Sequence, residues 1–313
     1  MVVSPSRVAT RPRVVRSALF ALLLFAFPTR FLAAQTLDDG LLVPKRTAML
    51  GVFYGHDSWD HYWEGTLERT NGNIGTLTTQ SATVMAGYGV TRRLTLLASL
   101  PYVWTHASQG TLEGMHGLQD LTVAAKFRVY ASDTSGRGLS AFVVGVGAIP
   151  ASNYTPDFMP LSIGSAGARA AARATVSYAN GSSWFATASG GFTFCNNVRL
   201  DRSSYYTDGK LYLTNEVAMP NVADYTITAG YRRGRLEVPV ALTQQQTHGG
   251  ADIRRQDMPF VSDRMDFTRV GAAVQYGLPR NLMVRVGAAR VLTGRNVGHS
   301  TTYTSGLIYA LPF

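Results

Sequence analysis

Apolar and polar residues alternate in short blocks along most of this chain, and no long apolar run follows residue 35. In residues 93–104, Leu94 and Leu96 fall on one side of an extended chain. Thr95 and Ser99 of the same block fall on the other side. A period of two residues predicts β-strands, because successive side chains of a strand point to opposite faces. The predicted strands are residues 47–56, 79–90, 92–104, 119–130, 138–149, 168–179, 183–194, 222–232, 235–246, 267–277, 281–291 and 302–313.

The two faces of these predicted strands differ in polarity. Leu121, Val123 and Phe127 share one face of their block, whereas Asp120 and Lys126 share the other. Each block has about ten to thirteen residues, the length of a tilted strand that crosses the apolar layer of a membrane. A closed barrel turns its apolar face to lipid and can keep a polar face inside. We therefore expect an all-β fold, a transmembrane antiparallel up-and-down β-barrel of twelve strands. A soluble all-β protein is the alternative.

The connections between the predicted strands alternate in length. Odd-numbered connections are long, at 57–78, 105–118, 150–167, 195–221, 247–266 and 292–301. Even-numbered connections are short, at 91, 131–137, 180–182, 233–234 and 278–280. Outer-membrane barrels have short periplasmic turns and longer external loops. The alternation therefore predicts an even number of strands, with both ends of the mature protein in the periplasm.

The beginning of the chain has the composition of a secretory signal peptide. Several arginines, among them Arg7 and Arg16, precede an apolar run at residues 17–27, and Ala33 and Ala34 offer small residues for cleavage. An apolar run of about eleven residues is too short for a spanning helix, which needs about twenty. We expect residues 1–34 to be the signal peptide and residues 35–313 to be the barrel domain. A membrane anchor is the alternative. An exported barrel of this kind is typical of a Gram-negative-type outer membrane.

The carboxyl end of the chain carries a second candidate targeting signal. Tyr309, Leu311 and Phe313 occupy alternate positions, and Phe313 is the last residue. This pattern resembles the terminal signature that the barrel-assembly machinery recognises. We therefore expect that machinery as a partner, together with outer-membrane lipids and lipopolysaccharide. An ordinary edge strand that happens to end in phenylalanine is the other interpretation.

Charge and cysteine content exclude several classes of function. Five of the 29 basic residues and none of the 19 acidic residues precede Gln35, so the remaining chain carries 24 − 19 = +5. This moderate charge does not point to a nucleic-acid partner. Cys195 is the single cysteine, which excludes an internal disulfide framework and a thiolate metal cluster. We expect no cofactor.

If the apolar faces contact lipid, a set of mostly basic side chains lines the lumen. These candidate residues for a solute path are Arg93, Asp120, Lys126, Arg128, Arg169, Arg173, Arg235, Glu237, Arg269, Gln275 and Arg285. Guanidinium groups on a wall of low dielectric concentrate anions, which suggests a channel for small anions or aromatic acids. Two alternatives remain. The arginines could pair across the barrel wall, or they could lie at the rim and face lipopolysaccharide phosphates.

Two short motifs suggest other chemistry. His56, Asp57, Asp60 and His61 lie within six residues and are ligand types that could hold a divalent ion, but a hydrated polar loop is the simpler interpretation. A His-x-Ser pair at residues 106–108 resembles the pair of lipid A deacylases. Nucleophilic catalysis also needs a third group that orients the base, and no neighbour in the sequence supplies it. We therefore expect neither a metal site nor an enzyme.

Residues 93–130 carry a resemblance to a known family. Residues 93–104 read RLTLLASLPYVW, residues 117–121 read GLQDL, and residues 122–130 read TVAAKFRVY. This stretch resembles the outer-membrane "meta-pathway of phenol degradation" transporter-like family. The resemblance implies passive uptake of small, often hydrophobic or aromatic compounds. Arginine-lined porins for acidic sugars are the second candidate, and a non-conducting barrel for adhesion or envelope integrity is the third.

Overall fold

The computed structural model describes residues 36–133, 137–181, 183–255 and 257–313. The predicted signal peptide, residues 1–34, lies outside this described part, as does Gln35. Among the described residues, no helix is long and apolar enough to cross a membrane.

Twelve long strands form one continuous sheet within the described residues. They are β1 (Thr47–Trp59), β2 (Leu77–Gly89), β3 (Leu94–Ala107), β4 (Asp120–Ala131), β5 (Gly138–Pro150), β6 (Arg169–Ala179), β7 (Trp184–Cys195), β8 (Asn221–Arg233), β9 (Leu236–His248), β10 (Asp266–Gly277), β11 (Leu282–Arg295) and β12 (Thr301–Pro312). Each strand pairs antiparallel with the next one along the chain, and β1 pairs with β12, so that the sheet closes into a barrel. The predicted fold and the twelve predicted strands are confirmed, and no strand end differs from its prediction by more than four residues.

The connections lie at two different ends of the barrel. The connections 90–93, 132–137, 180–183, 234–235 and 278–281 form one end, which we call the turn end. The first strand also begins and the last strand also ends at the turn end, where Thr47 pairs with Pro312. The connections 60–76, 108–119, 151–168, 196–220, 249–265 and 296–300 form the opposite, loop end.

One predicted loop length is wrong. Residues 292–301 were expected to form a long connection, but β11 continues to Arg295 and only residues 296–300 separate it from β12. The strand is longer because its pairing with β10 extends through a register shift near Thr268, as far as the pair Asp266 and Arg295. The alternation of apolar and polar residues predicted an end at residue 291, whereas the pairing of β11 with β10 continues to Arg295.

An apolar belt surrounds the outside of the barrel. On β8, Ile227 is 63% exposed, whereas its neighbour Thr226 is 7% exposed. Every strand contributes at least one exposed apolar side chain, such as Val52, Val84, Leu96, Val123, Val143, Val176, Trp184, Ile227, Val240, Val274, Val286 and Leu307. A soluble protein does not expose an apolar surface of this extent. A membrane barrel requires one, because lipid surrounds it completely.

Candidate functional site in the barrel lumen

Residues 36–44 precede β1 and lie inside the barrel; we call them the N-terminal segment. Lys126 on β4 holds the beginning of this segment, because its Nζ donates to the carbonyl oxygens of Thr36 at 3.0 Å and Asp39 at 2.6 Å. The same Nζ lies 2.7 Å from Oδ1 of Asp39. Farther along, the amide of Val43 donates to Oγ1 of Thr95 on β3 at 3.0 Å. The segment is therefore bound to the inner face of β3 and β4.

The other side of the N-terminal segment contacts β6, β7 and β8. Asp38 lies 2.5 Å from Nη1 of Arg173 on β6, and Nη2 of Arg173 lies 2.6 Å from Asp224 on β8. Ser189 on β7 also donates to Asp38, at 3.2 Å. Because the segment is bound to β3 and β4 on one side and to β6, β7 and β8 on the other, it crosses the lumen.

Gly40 shows how closely the N-terminal segment approaches the wall. A Cβ atom at residue 40 would overlap the side chain of Ser177 on β6. Only glycine fits this position without movement of the wall. The sequence of the segment is therefore matched to the inner surface of the barrel.

Five of the predicted lumen residues are engaged in ion pairs. Lys126 binds Asp39, and Arg173 binds both Asp38 and Asp224. The two remaining pairs are Asp120 with Arg169, and Glu237 with Arg232 at 3.0 Å. These contacts favour the alternative in which inward arginines pair structurally, because a paired cation attracts solute anions far less than a free one does.

The other predicted lumen residues lie at two levels of the barrel. Arg93 and Arg235 belong to connections at the turn end, and Arg93 is exposed. Arg128 is also near the turn end, where its Nη2 donates to the carbonyl oxygen of Arg92 at 3.0 Å. Within the strands, the guanidinium of Arg269 lies 5.6 Å from the ring centre of Phe267. Gln275 and Arg285 lie on the inner wall of β10 and β11.

Gln275 is almost completely buried on β10, with 1% of its surface exposed. Its Nε2 contacts the sulfur of Met283 at 3.8 Å, and its Oε1 has no hydrogen-bond partner in the described part of the chain. Gln275 pairs in register with Glu237 on β9 and with Arg285 on β11. The three side chains form a polar row in the turn-end half of the wall.

Two cavities flank the N-terminal segment, each with a volume of about 270 Å³. The first, which we call the threonine cavity, is bounded by Asp38, Asp39 and the inner faces of β7 to β12, and it includes Arg285. The second is bounded by Thr36, Leu37 and side chains of β2, β3 and β4. The lumen therefore contains open space on both sides of a central obstruction.

The connection 151–168 folds into the loop end of the lumen; we call it the inward loop. Tyr154 donates to Oδ1 of Asp120 at 2.6 Å, and the hydroxyl of Tyr154 accepts from the amide of Ala166 at 3.0 Å. Thr105 on β3 donates to the carbonyl oxygen of Leu161 at 2.7 Å, and Leu161 is fully buried. The inward loop therefore packs against the inner face of β3 and narrows the barrel.

Asn296 joins three external connections at the loop end. Its Oδ1 accepts from the amides of Gly65 at 2.8 Å and Ile253 at 3.1 Å. Its Nδ2 donates to Asp252 at 2.9 Å and to the carbonyl oxygen of Arg264 at 2.8 Å. The connections 60–76, 249–265 and 296–300 therefore share one buried amide side chain.

Side chains of residues 56–61, the candidate metal ligands, and of the His-x-Ser pair at residues 106–108 form contacts within the structure. Asp57 accepts from Thr302 at 2.5 Å, and His61 lies 2.9 Å from Asp60. No group of three His, Cys, Asp or Glu side chains that could hold a metal is found among the described residues. Ser108 accepts from the amide of Thr76 at 2.8 Å.

The closed barrel, its apolar exterior and its polar lumen define an outer-membrane β-barrel protein. The sequence matches the family described as "Putative MetA-pathway of phenol degradation" over residues 68–305, and the chain belongs to this family. The resemblance found in residues 93–130 is thus confirmed. Among curated proteins, none matches the chain.

One of the solved structures that match this chain shares its fold at low sequence identity. The COG4313 outer membrane channel from Pseudomonas putida F1 has a TM-score of 0.71 and 15% identity, and the match covers 88% of this chain and 100% of the channel. The β domain of the Bordetella autotransporter BrkA has a TM-score of 0.47 and 11% identity, over 85% and 100% of the two chains. The KdgM porin has a TM-score of 0.43 and 8% identity, over 83% and 98%. At 15% identity, the likeness to the COG4313 channel establishes the fold alone.

Proposed function

We propose that small solutes cross the outer membrane passively through this lumen, along the two cavities beside the N-terminal segment. The observation that carries the proposal is the pair of open spaces of about 270 Å³ inside a closed barrel. Membership of the phenol-degradation family and the fold shared with an outer membrane channel support it. No chemical step is needed for such a function, and we propose no catalytic role for the His-x-Ser pair.

We infer that the N-terminal segment and the inward loop narrow the solute path. Of the predicted lumen residues, those within the strands and away from the turn end line this path: Asp120, Lys126, Arg169, Arg173, Glu237, Arg269, Gln275 and Arg285. Cavity size limits the solute, because pockets for drug-sized ligands have about 300–1,000 Å³. Four cations of the inner wall, Lys126, Arg169, Arg173 and Arg232, are paired with carboxylates. The path is therefore less basic than the strand residues alone indicate, which favours small uncharged or aromatic solutes over a general anion preference. The arginine-lined porin for acidic sugars becomes the weaker candidate.

We also propose how the barrel is placed in the membrane. The turn end faces the periplasm, so β1 begins and β12 ends on the periplasmic side, the orientation that the sequence predicts. Tyr309 and Leu311 are exposed on β12, and Phe313 is exposed directly after it, so all three are accessible to the barrel-assembly machinery. The external loops face lipopolysaccharide.

Osmotic swelling of proteoliposomes tests the proposal. Swelling is followed with arabinose and with galacturonate, a neutral sugar and a sugar acid, and heat-denatured protein is the control. We expect arabinose to enter at least as fast as galacturonate. A strong preference for galacturonate would support the acidic-sugar porin, and no swelling with either solute would support a non-conducting barrel.

A further inference from the structure

The threonine cavity contains an arginine that has no partner among the described residues. Arg285 projects from β11 into this cavity, and it makes no hydrogen bond or ion pair with any residue that the structure describes. The side chain is only partly exposed. A guanidinium that is partly removed from water and has no counter-charge is unfavourable, and a bound carboxylate would supply what it lacks.

The three carboxylates around the cavity already have cationic partners. Asp39 binds Lys126, and Glu237 binds Arg232 through two hydrogen bonds of 3.0 and 3.1 Å. Asp38 binds Arg173. Arg285 is thus the one charged group on the cavity wall, within the described residues, that is left for a ligand.

Arg173 is shared between two carboxylates, so the charges nearby must be counted together. Asp38 and Asp224 both contact it, which leaves one negative charge in excess when both are ionised. Burial raises the pKa of Asp38, which reduces this excess. A competing cation would bind beside Asp38, whereas an anion would bind at Arg285, and the two outcomes can be separated by experiment.

The wall around Arg285 provides room for a compact apolar body. Inner positions of β10 and β11 hold Gly271, Ala273, Gly287 and Ala289. At Gly287, a Cβ atom would lie 3.0 Å from Oγ1 of Thr304 and 3.0 Å from the carbonyl oxygen of Ala272. Small side chains therefore keep the space beside Arg285 open, with the hydroxyl of Thr304 at its edge.

We propose that the threonine cavity binds a small monocarboxylic acid, with the carboxylate on Arg285 and a compact apolar body against the small residues of β10 and β11. The guanidinium can donate two parallel hydrogen bonds to a carboxylate, and threonine hydroxyls can supply further donors. This inference rests on the proposed function in one respect, since the acid must enter through the lumen.

Three ligands of one shape and different charge test the proposal: benzoate, benzamide and benzamidine. Each is titrated by calorimetry into the detergent-solubilised barrel at neutral pH. We expect benzoate to bind about tenfold or more tightly than benzamide, the loss typical of a charge-assisted contact. Arg285→Gln should reduce benzoate affinity to the level of benzamide. Arg92→Gln, which removes an exposed arginine in the connection 90–93, should leave it unchanged.

A second variant tests the cavity independently of charge. Ala289→Leu fills the space and should weaken both benzoate and benzamide, while heat-modifiable migration on gels shows that the barrel is folded. Equal affinity for benzoate and benzamide, tightest binding of benzamidine, or unchanged benzoate binding in Arg285→Gln would each overturn the proposal.

Swelling with arabinose in the same preparations separates this inference from the proposed function. Swelling without Arg285-dependent benzoate binding would refute the inference and leave the channel standing. Arg285-dependent binding without swelling would refute passive diffusion and leave the carboxylate site standing.

Discussion

Lys126 and Asp39 form an ion pair inside the barrel, with 2.7 Å between Nζ and Oδ1 and with the lysine side chain fully shielded from solvent. The pair joins the wall of the barrel to the segment that crosses it. We expect this contact to control how much of the lumen is open, because few side chains bind the N-terminal segment to the wall.

Removal of Lys126 should open the lumen. In Lys126→Met, the carboxylate of Asp39 loses its cation, and breaking one partner of a buried pair costs about 3–5 kcal/mol. We expect the N-terminal segment to detach and the mean conductance in planar bilayers to rise. Arg128→Met is the control, because Arg128 lies on the same strand and, within the described part of the chain, hydrogen-bonds only the carbonyl oxygen of Arg92. Equal conductance of the two variants would contradict the prediction.

Gly40 offers a steric test of the same segment. A methyl group at residue 40 would overlap Ser177, so Gly40→Ala should displace the segment and raise conductance. Adding Ser177→Gly in the same chain should restore room and return conductance toward the wild-type value. If Gly40→Ala conducts like the wild type, the close approach of Gly40 and Ser177 does not exist in solution.

The side chain of Asn296 should keep the external loops in a fixed conformation. Asn296→Ala removes an amide that bonds Gly65, Ile253, Asp252 and the carbonyl of Arg264. Each bond that leaves a buried partner unsatisfied costs about 1–3 kcal/mol. We expect proteases to cleave the connections 60–76 and 249–265 several times faster, and the barrel to stay intact. Asn73→Ala, at an exposed position of the first connection, serves as the control and should not change the rate.

The connection 249–265 should become more stable as the pH falls. Burial raises the pKa of Asp263 to about 6, and the nearby Asp257 and Asp252 add to the shift. Because the folded loop holds the proton of Asp263 more tightly than an unfolded one, the contribution of Asp263 to stability is fully present below about pH 4 and is lost as the pH rises through about 6.

Hydrogen exchange of residues 257–265 at pH 5 and pH 7.5, corrected for the intrinsic rate, measures this effect. We expect greater protection at pH 5 in the wild type. Asp263→Asn keeps an acceptor for the amide of Phe260, which donates to Asp263 at 2.7 Å, and removes the titration. A pH response in Asp263→Asn as large as that of the wild type would refute the assignment to Asp263.

The barrel was predictable from the sequence because its wall is periodic. Lipid on one side and a polar lumen on the other impose a two-residue pattern, so Thr226 and Ile227 could be assigned to opposite faces without a structure. Asp224 precedes Thr226 by two residues, and the same alternation could have placed it on the inner face.

The contents of the lumen were not predictable in the same way. The N-terminal segment and the inward loop have no period, and their positions depend on contacts with distant residues such as Lys126 and Asp120. Two adjacent carboxylates, Asp38 and Asp39, followed the predicted signal peptide and were the available signal. The sequence alone did not show which carboxylates pair with the inward cations, so the wall was expected to be more basic than it is.

The conductance of single barrels with and without the N-terminal segment tests the central claim most directly. Wild-type protein and a variant that lacks residues 37–42 are compared in planar bilayers at the same salt concentration. The structure predicts a small conductance for the wild type and a several-fold larger one for the variant, because the deletion joins the two cavities into one pore. Equal conductance, or no conductance in either protein, would contradict a solute path through a lumen that this segment narrows.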